Sequence, residues 1–316
     1  MPIANSKWRQ VLYNYSAMNN SLYIIGNGFD KAHSMPVGYD NFKNHLKENN
    51  GDRSKCTTCP FLRLGECCAQ ECYILSLLNS ANIDMEWNEF EESLANVDYR
   101  VLGIKTLKDF VTLIDNFINS LQEAFVAWIN TINVPNWDSQ KFYLETSAFY
   151  VSFNYTMTLE DTYSIPSANV LHIHGSYKEN VSSGRKYVFG HSSGLSTIQN
   201  RMRSIIQNVD GSVIDEWCLA LMRLKKDTFT EKRILHSRLD NLQFNNPIIR
   251  IIGHSFSPVD YDYFSEINKT FPCAKWIYYY HSPSALCDAK NNINSFQNIN
   301  GGIDISYEDI KNIHIK

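Results

Sequence analysis

The sequence predicts an α/β protein built on a doubly wound, mostly parallel sheet, and three observations carry that expectation. Short apolar runs rich in strand-forming residues recur at 22–25, 148–153, 170–173, 187–189, 247–253 and 276–280. Helix-period stretches separate several of them, most clearly over 105–133. The runs end in glycine, histidine or asparagine, at the carboxyl ends where such sheets bind ligands. Strands buried on both faces read as continuous apolar runs, and their alternation with helices indicates parallel pairing.

Taken in order, residues 1–20 (MPIANSKWRQVLYNYSAMNN) are polar and rich in Asn and Tyr, and are expected to form an N-terminal arm. The first strand then runs into Gly26-Asn27-Gly28-Phe29-Asp30. Glycine at 26 and 28 removes the Cβ that would block a tight turn or a phosphate approaching bare backbone. Lys31 occupies the place of the third glycine in a G-x-G-x-x-G pattern, so a ligand-free strand-to-helix turn fits as well. After His33 and Pro36, residues 39–46 form a short helix with Phe42 and Leu46 on one face.

Residues 51–72 break the pattern with Cys56-x-x-Cys59, Cys67-Cys68 and Cys72. A C-x-x-C knuckle offers two thiolates to a tetrahedral zinc, and a second cluster can close the site. The candidate ligands are Cys56, Cys59, Cys67 (or Cys68) and Cys72; a redox-labile thiol cluster or plain reduced cysteines are the competing readings. In the helix at 105–133, Leu107, Phe110, Val111, Ile114, Phe117, Ile118, Leu121, Phe125, Trp128 and Ile132 repeat at helical spacing and read as packing core. Pro135 stops the pattern. Just before it, Glu89 and Glu91 are either solvated or reach the cleft beside the glycine turn. The expected organisation is one domain over 21–316 with a helical, cysteine-containing insertion at about 47–140.

Three further strands end at Asn154-Tyr155-Thr156, His174-Gly175-Ser176 and Gly190-His191. A polar, partly helical stretch covers about 195–245. The strand at 247–253 ends at His254-Ser255 and the last, 276–280, at His281.

At 316 residues the chain is long enough for a full core, and its 44% apolar and 20% charged residues suit a globular protein. A net charge of −4 provides no footprint for nucleic acid. The basic cluster Lys225, Lys226, Lys232 and Arg233 is interrupted by Asp227 and Glu231 and reads as a solvated helix face. No apolar run reaches the roughly 18 residues of a membrane span, and the N-terminus lacks the apolar core of a secretion signal. A cytoplasmic location is expected, with the eight cysteines as thiols or metal ligands before disulfides.

Several segments, in order between 22 and about 281, together resemble the bacteriophage abortive-infection AbiH family. They are Ile25-Gly-Asn-Gly-Phe-Asp-Lys-Ala-His33 with Pro36 and Tyr39, residues 87–91, and Ser152-Phe-Asn-Tyr-Thr156 with Leu159-Glu160. His172-Ile-His-Gly175, Phe189-Gly-His191 and Ile252-Gly-His-Ser-Phe-Ser-Pro-Val-Asp260 complete the set. That resemblance implies an antiphage effector with a phage-derived trigger, a small nucleotide as partner and a homo-oligomeric form. The family is similar, at a remove, to sirtuin-like NAD-binding domains, which implies a Rossmann-like fold and NAD as substrate. By position, Asn154 and His174 match the catalytic pair. Gly26 and Gly28, flanked by Asn27, Phe29 and Asp30, match the phosphate turn; Gly253 and Ser255, with His254 between them, match the late motif. Thr156 stands where sirtuins keep an aspartate, and Asp30 where they keep a serine near the ribose. The cysteines also lie too early for the sirtuin zinc module. These departures argue against deacetylation and leave cleavage of NAD as the implied chemistry.

Breaking the nicotinamide–ribose bond passes through an oxocarbenium-like transition state. An asparagine amide can hold a water or a ribose hydroxyl without titrating, and a histidine beside it can take a proton near neutral pH. Asp30 is read as a ribose-hydroxyl acceptor or as a helix cap. His254 and Ser255 either contact the nucleotide or satisfy backbone at a strand end. His172 is expected to face away from His174 and to be structural; His33 and His191 stay open. The alternatives to an NAD hydrolase are a non-catalytic module sensing a nucleotide or phage protein, and a metal-dependent nuclease or phosphoesterase. The lack of a clustered Asp/Glu metal motif weighs against the last.

Overall fold

A computed structural model describes residues 20–50, 87–96, 107–205 and 211–315. The candidate zinc ligands Cys56, Cys59, Cys67 and Cys72, and all of the N-terminal arm except Asn20, lie outside the described residues. In chain order the elements are β1 (Ser21–Ile25), α1 (Asn27–Ala32), α2 (Tyr39–Asn50), α3 (Trp87–Ser93), α4 (Leu107–Ile129) and β2 (Phe149–Ser152). Then come α5 (Thr158–Asp161), β3 (Val170–His172), α6 (Tyr177–Ser183), α7 (Leu195–Ile205), α8 (Gly211–Leu221) and α9 (Thr228–Asp240). The chain closes with β4 (Ile248–Ile252), α10 (Tyr261–Thr270), β5 (Lys275–Tyr280), α11 (Pro283–Asn300) and β6 (Asp304–Asp309). They fall into two compact units, one of residues 1–35, 133–185 and 228–316, the other of residues 36–132 and 186–227.

The first unit holds the sheet, in the order β3-β2-β1-β4-β5-β6 with every neighbouring pair parallel. That is the doubly wound α/β architecture expected, in the strand order of dinucleotide-binding folds. Alternation along the strands sends Leu22, Ile24, Phe149, Val151, Ile249, Ile251 and Trp276 to one face. There they meet Leu235 and Leu239 of α9, Phe264 and Ile267 of α10, and Ile293 and Phe296 of α11. Tyr23, Ile25, Tyr150, Ile252 and Tyr279 take the other face, against Phe29 of α1, Leu159 of α5, Phe142 and Tyr163. Both faces are buried, which is why these strands read as unbroken apolar runs. β6 was not foreseen: its sequence, Asp-Ile-Ser-Tyr-Glu-Asp, is that of a charged edge strand with only Ile305 and Tyr307 turned to the core.

The connections after β1 and β4 touch backbone to backbone. The Gly26 and Gly28 N–H groups donate to the carbonyls of Ile252 (3.0 Å) and Gly253 (2.8 Å). A Cβ on Gly26 would stand 2.5 Å from His254 Cα, and one on Gly28 2.9 Å from Gly253 Cα. Gly253 itself has φ +67°, and a Cβ there would lie 2.2 Å from the Phe29 backbone nitrogen. Three glycines are required by this one crossing of loops.

The second unit is helical. Ile114, Leu121, Phe125 and Trp128 of α4 are buried, with the Phe42 ring 5.5 Å from Phe125 and 5.2 Å from Trp128. The run at 187–189 is not a strand. The Tyr187 ring packs on Phe125 (5.2 Å), its carbonyl accepts from Gln122 Nε2 (2.7 Å), and so its apolar side chains serve a helix instead of a sheet. His191 accordingly follows no strand of the sheet and belongs to this unit; it is fully buried, and its Nε2 meets the Leu221 carbonyl at 3.1 Å. Nor are Glu91 and Lys226 solvated: they form a buried ion pair at 3.2 Å, and Glu91 also accepts the Gly190 N–H. Lys225, Arg233 and Glu89 are exposed, as expected for surface charges.

The loop crossing yields a stability prediction. Gly253→Ala adds the strain of a left-handed L-residue to a backbone clash, and should lower unfolding stability by about 2–4 kcal/mol. Gly184→Ala, at a similar φ of +69° but with nothing within 4 Å of its Cβ, should cost only about 1 kcal/mol. Urea midpoints of the two variants check this; equal losses would mean the close approach contributes nothing.

Candidate functional site

The site is built at the carboxyl ends of β1 to β4. Asp30, five residues beyond β1 in the short helix α1, is buried with 1% of its surface exposed. It accepts from Thr156 Oγ1, which contacts Thr158 Oγ1 at 3.1 Å. Burial raises the Asp30 carboxyl to about 6, against the pull of Thr156, Thr158, Asn154 and the charge of His172, all of which favour the ionised form. No aligned hydrogen bond reaches Asp30 Oδ1 or Asn154 Oδ1, and both oxygens are buried. Orphaned acceptors are costly in an apolar interior unless something donates to them.

Asn154 leaves β2 with its backbone pinned on both sides. Its N–H donates to Ser152 Oγ (3.2 Å), and its carbonyl accepts from His172 Nδ1 (3.0 Å). His172 Nε2 donates to Glu160 Oε1 (3.1 Å). Burial works against a charge on His172, but Glu160 and the Asn154 carbonyl outweigh it and lift its pKa, favouring the form in which both nitrogens donate. His172 is thus structural, as expected, though not for the reason of opposite faces. Residues two apart share a face in a strand; β3 ends at His172, and the turn that follows carries His174 elsewhere. Arg185 ties off this strand end, donating to the His172 carbonyl (3.3 Å) and bridging Glu179 (2.9 Å) and Glu231 (2.6 Å).

His174 lies against the rings of Phe153 (5.1 Å) and Tyr263 (5.7 Å), with its Nε2 3.5 Å from Asp260 Oδ1. The other oxygen of Asp260 is 3.3 Å from His254 Nε2. One buried carboxylate therefore stands between two buried imidazoles. Asp260 was not singled out from the sequence. As the residue preceding α10 it has the look of a helix cap, yet its side chain makes no capping bond; its place closing the late motif was the available signal.

The remaining candidates divide. His33 is a satisfied core histidine: Tyr163 OH accepts the Lys141 and Phe142 N–H groups and meets His33 Nε2 at 2.7 Å, while His33 Nδ1 reaches the Phe29 carbonyl at 2.8 Å. Burial lowers its pKa. Phe29 packs in the apolar core, and its N–H donates to the Gly26 carbonyl (2.9 Å). Since Gly26 and Gly28 also spend their amides on the carbonyls of Ile252 and Gly253, the turn is explained by packing and presents none of these three N–H groups to a phosphate. Asn27 is half-buried and Ser255 exposed, its carbonyl held by Asn292 (2.9 Å). His281 is exposed. Among the described residues, no group of three or more His, Cys, Asp or Glu is arranged to hold a metal ion, and no helix is long and apolar enough to cross a membrane.

The state of Asp30 can be measured. A carboxyl that binds its proton more tightly when folded adds stability below its unfolded value of 3.8, and that stability is lost as pH rises toward 6. Unfolding free energy should therefore fall by on the order of 3 kcal/mol between pH 4 and pH 7 from this group. Asp30→Asn should flatten that slope, and carboxyl-carbon NMR should show Asp30 titrating near 6. Titration near 4 would refute the assignment.

A family model described as bacteriophage abortive infection AbiH matches the chain over residues 22–113 and 104–280. No curated protein and no solved structure matches.

Proposed function

The chain belongs to the bacteriophage abortive infection AbiH family, and so to abortive-infection defence, and from that premise we propose that it binds NAD and hydrolyses its nicotinamide–ribose bond. The observation that carries this reading is that two buried oxygens, Asp30 Oδ1 in α1 and Asn154 Oδ1 just after β2, receive no aligned hydrogen bond. Ribose hydroxyls or a water would supply the donors these oxygens lack. The strand order, shared with dinucleotide-binding sheets, supports the same class of ligand.

In this reaction water attacks the ribose C1′, the C–N bond breaks, and its electron pair leaves with nicotinamide. The water's proton passes to a base, and ADP-ribose is released. Asn154 orients the water or a ribose hydroxyl without changing charge, and His174 receives the proton. A carboxylate near the ribose stabilises the oxocarbenium-like charge. Asp30 is that group when ionised, and its carboxyl is bonded to Thr156. These are the two positions at which the chain departs from the sirtuin-like pattern: aspartate is lost at 156 and supplied at 30. Gly26, Gly28 and Gly253 shape the floor, leaving Asn27 and Ser255 as the groups nearest solvent for the nucleotide, beside His254.

One observation favours a second reading, a nucleotide-sensing module without chemistry: the amides of the glycine turn are committed to backbone carbonyls. Activity separates the two. Purified protein at low and high concentration is incubated with NAD, and nicotinamide and ADP-ribose are followed by chromatography. The expected outcome is product from the unaltered chain and a loss of about 10²–10³-fold in Asn154→Ala and His174→Ala, with NAD still bound. Bound NAD without product would favour the sensor, and no binding would remove both readings.

A further inference from the structure

We infer that Asp260 is a positioning residue that fixes which nitrogen of His174 carries the proton, and that it can do so because His254 is locked in one tautomer by the backbone. The inference rests on the reading of His174 as the proton acceptor.

The lock comes first. The Phe256 N–H donates to His254 Nδ1 at 2.9 Å. A nitrogen that accepts cannot also bear a proton, so the ring hydrogen of neutral His254 sits on Nε2. That nitrogen lies 3.3 Å from Asp260 Oδ2. The loop cannot easily relax to release it. Phe256 has φ +55°, is fully buried, and its ring stacks on Phe264 at 3.8 Å. The His254 carbonyl is held in turn by Tyr278 OH at 2.8 Å.

The carboxylate therefore offers one oxygen to His254 and the other to His174. Oδ1 lies 3.5 Å from His174 Nε2, long for a finished hydrogen bond but typical of a catalytic pair before substrate closes it. A carboxylate only accepts, so it draws the His174 hydrogen to Nε2 and makes Nδ1 the basic nitrogen. Asp260 touches neither water nor ribose in this arrangement; it acts through the imidazole.

Asp260→Asn is a sharp test because the lock dictates how the amide must sit. His254 Nε2–H still requires an oxygen, so the asparagine carbonyl turns to His254 and its NH₂ faces His174 Nε2. His174 must then accept at Nε2 and carry its hydrogen on Nδ1, the wrong tautomer for a base at that nitrogen. Long-range imidazole ¹H–¹⁵N spectra of the full chain, labelled at histidine, read this directly at a pH where the rings are neutral. The expected result is Nε2–H for both His254 and His174 in the unaltered chain, with His174 alone switching to Nδ1–H in Asp260→Asn. In NAD turnover the same variant should lose about 10²–10⁴-fold in kcat with KM little changed, and Asp260→Glu should recover part of the loss.

An unaltered chain with His254 or His174 as Nδ1–H would overturn the inference, as would an Asp260→Asn spectrum in which His174 keeps Nε2–H. Should Asp260→Asn fail to fold, as judged by circular dichroism, the spectrum of the unaltered chain decides alone. If the unaltered chain releases no nicotinamide, the NAD reading fails; the tautomer result still stands or falls by itself.

Discussion

The crossing of two loops at the reversal of the strand order governs this structure. β1 lies between β2 and β4, and its connection passes to the sheet face that carries Phe29, whereas the connection from β4 passes to the face that carries Phe264. Where two such connections part, a parallel sheet leaves a crevice. Here its floor is sealed by backbone, with Gly26 and Gly28 bonded to Ile252 and Gly253 at van der Waals limits that tolerate no side chain. Everything at the rim takes its position from that contact. Asp30 is carried beneath the turn, and His254 is presented in the strained loop that leads to Asp260.

Burial then decides the chemistry of each group. Carboxylates and imidazoles taken out of water hold a charge only where a partner offsets the desolvation. His172 is pushed toward its charged form, against the effect of burial, because Glu160 and the Asn154 carbonyl accept from it. His33 is held toward its neutral form by burial, with the charge of Lys141 adding to the effect, although the Phe29 carbonyl pulls the other way. Asp30 stands between these limits, lifted to the range where it can gain or lose a proton near neutrality. Groups of one chemical type are thus given different proton affinities by what surrounds them.

The sheet was legible in the sequence because a strand buried on both faces must be apolar along its whole length. Five strands could be found that way, from Ser21–Ile25 to Lys275–Tyr280. The same signal misled at 187–189, where an equally apolar run packs on α4, since apolar character reports burial and not the partner. β6 escaped for the opposite reason, its edge position permitting charge. Likewise Lys226 looked like one of several surface lysines; its burial against Glu91 joins positions 135 residues apart, which no local pattern encodes.

What the sequence determined by itself was the class of fold, the strand-end placement of Asn154, His174 and His254, and the family motifs that hold them. Each follows from local patterning: period, glycine punctuation and the order of elements. Only the tertiary structure decided that Gly26 and Gly28 answer to Gly253, that Thr156 serves Asp30, and that Asp260 joins His174 to His254. Except for Asp260 and His254, which share one loop, those are pairings between loops far apart in the sequence, and hydrogen-bond geometry and burial exist only once the sheet has brought the loops together.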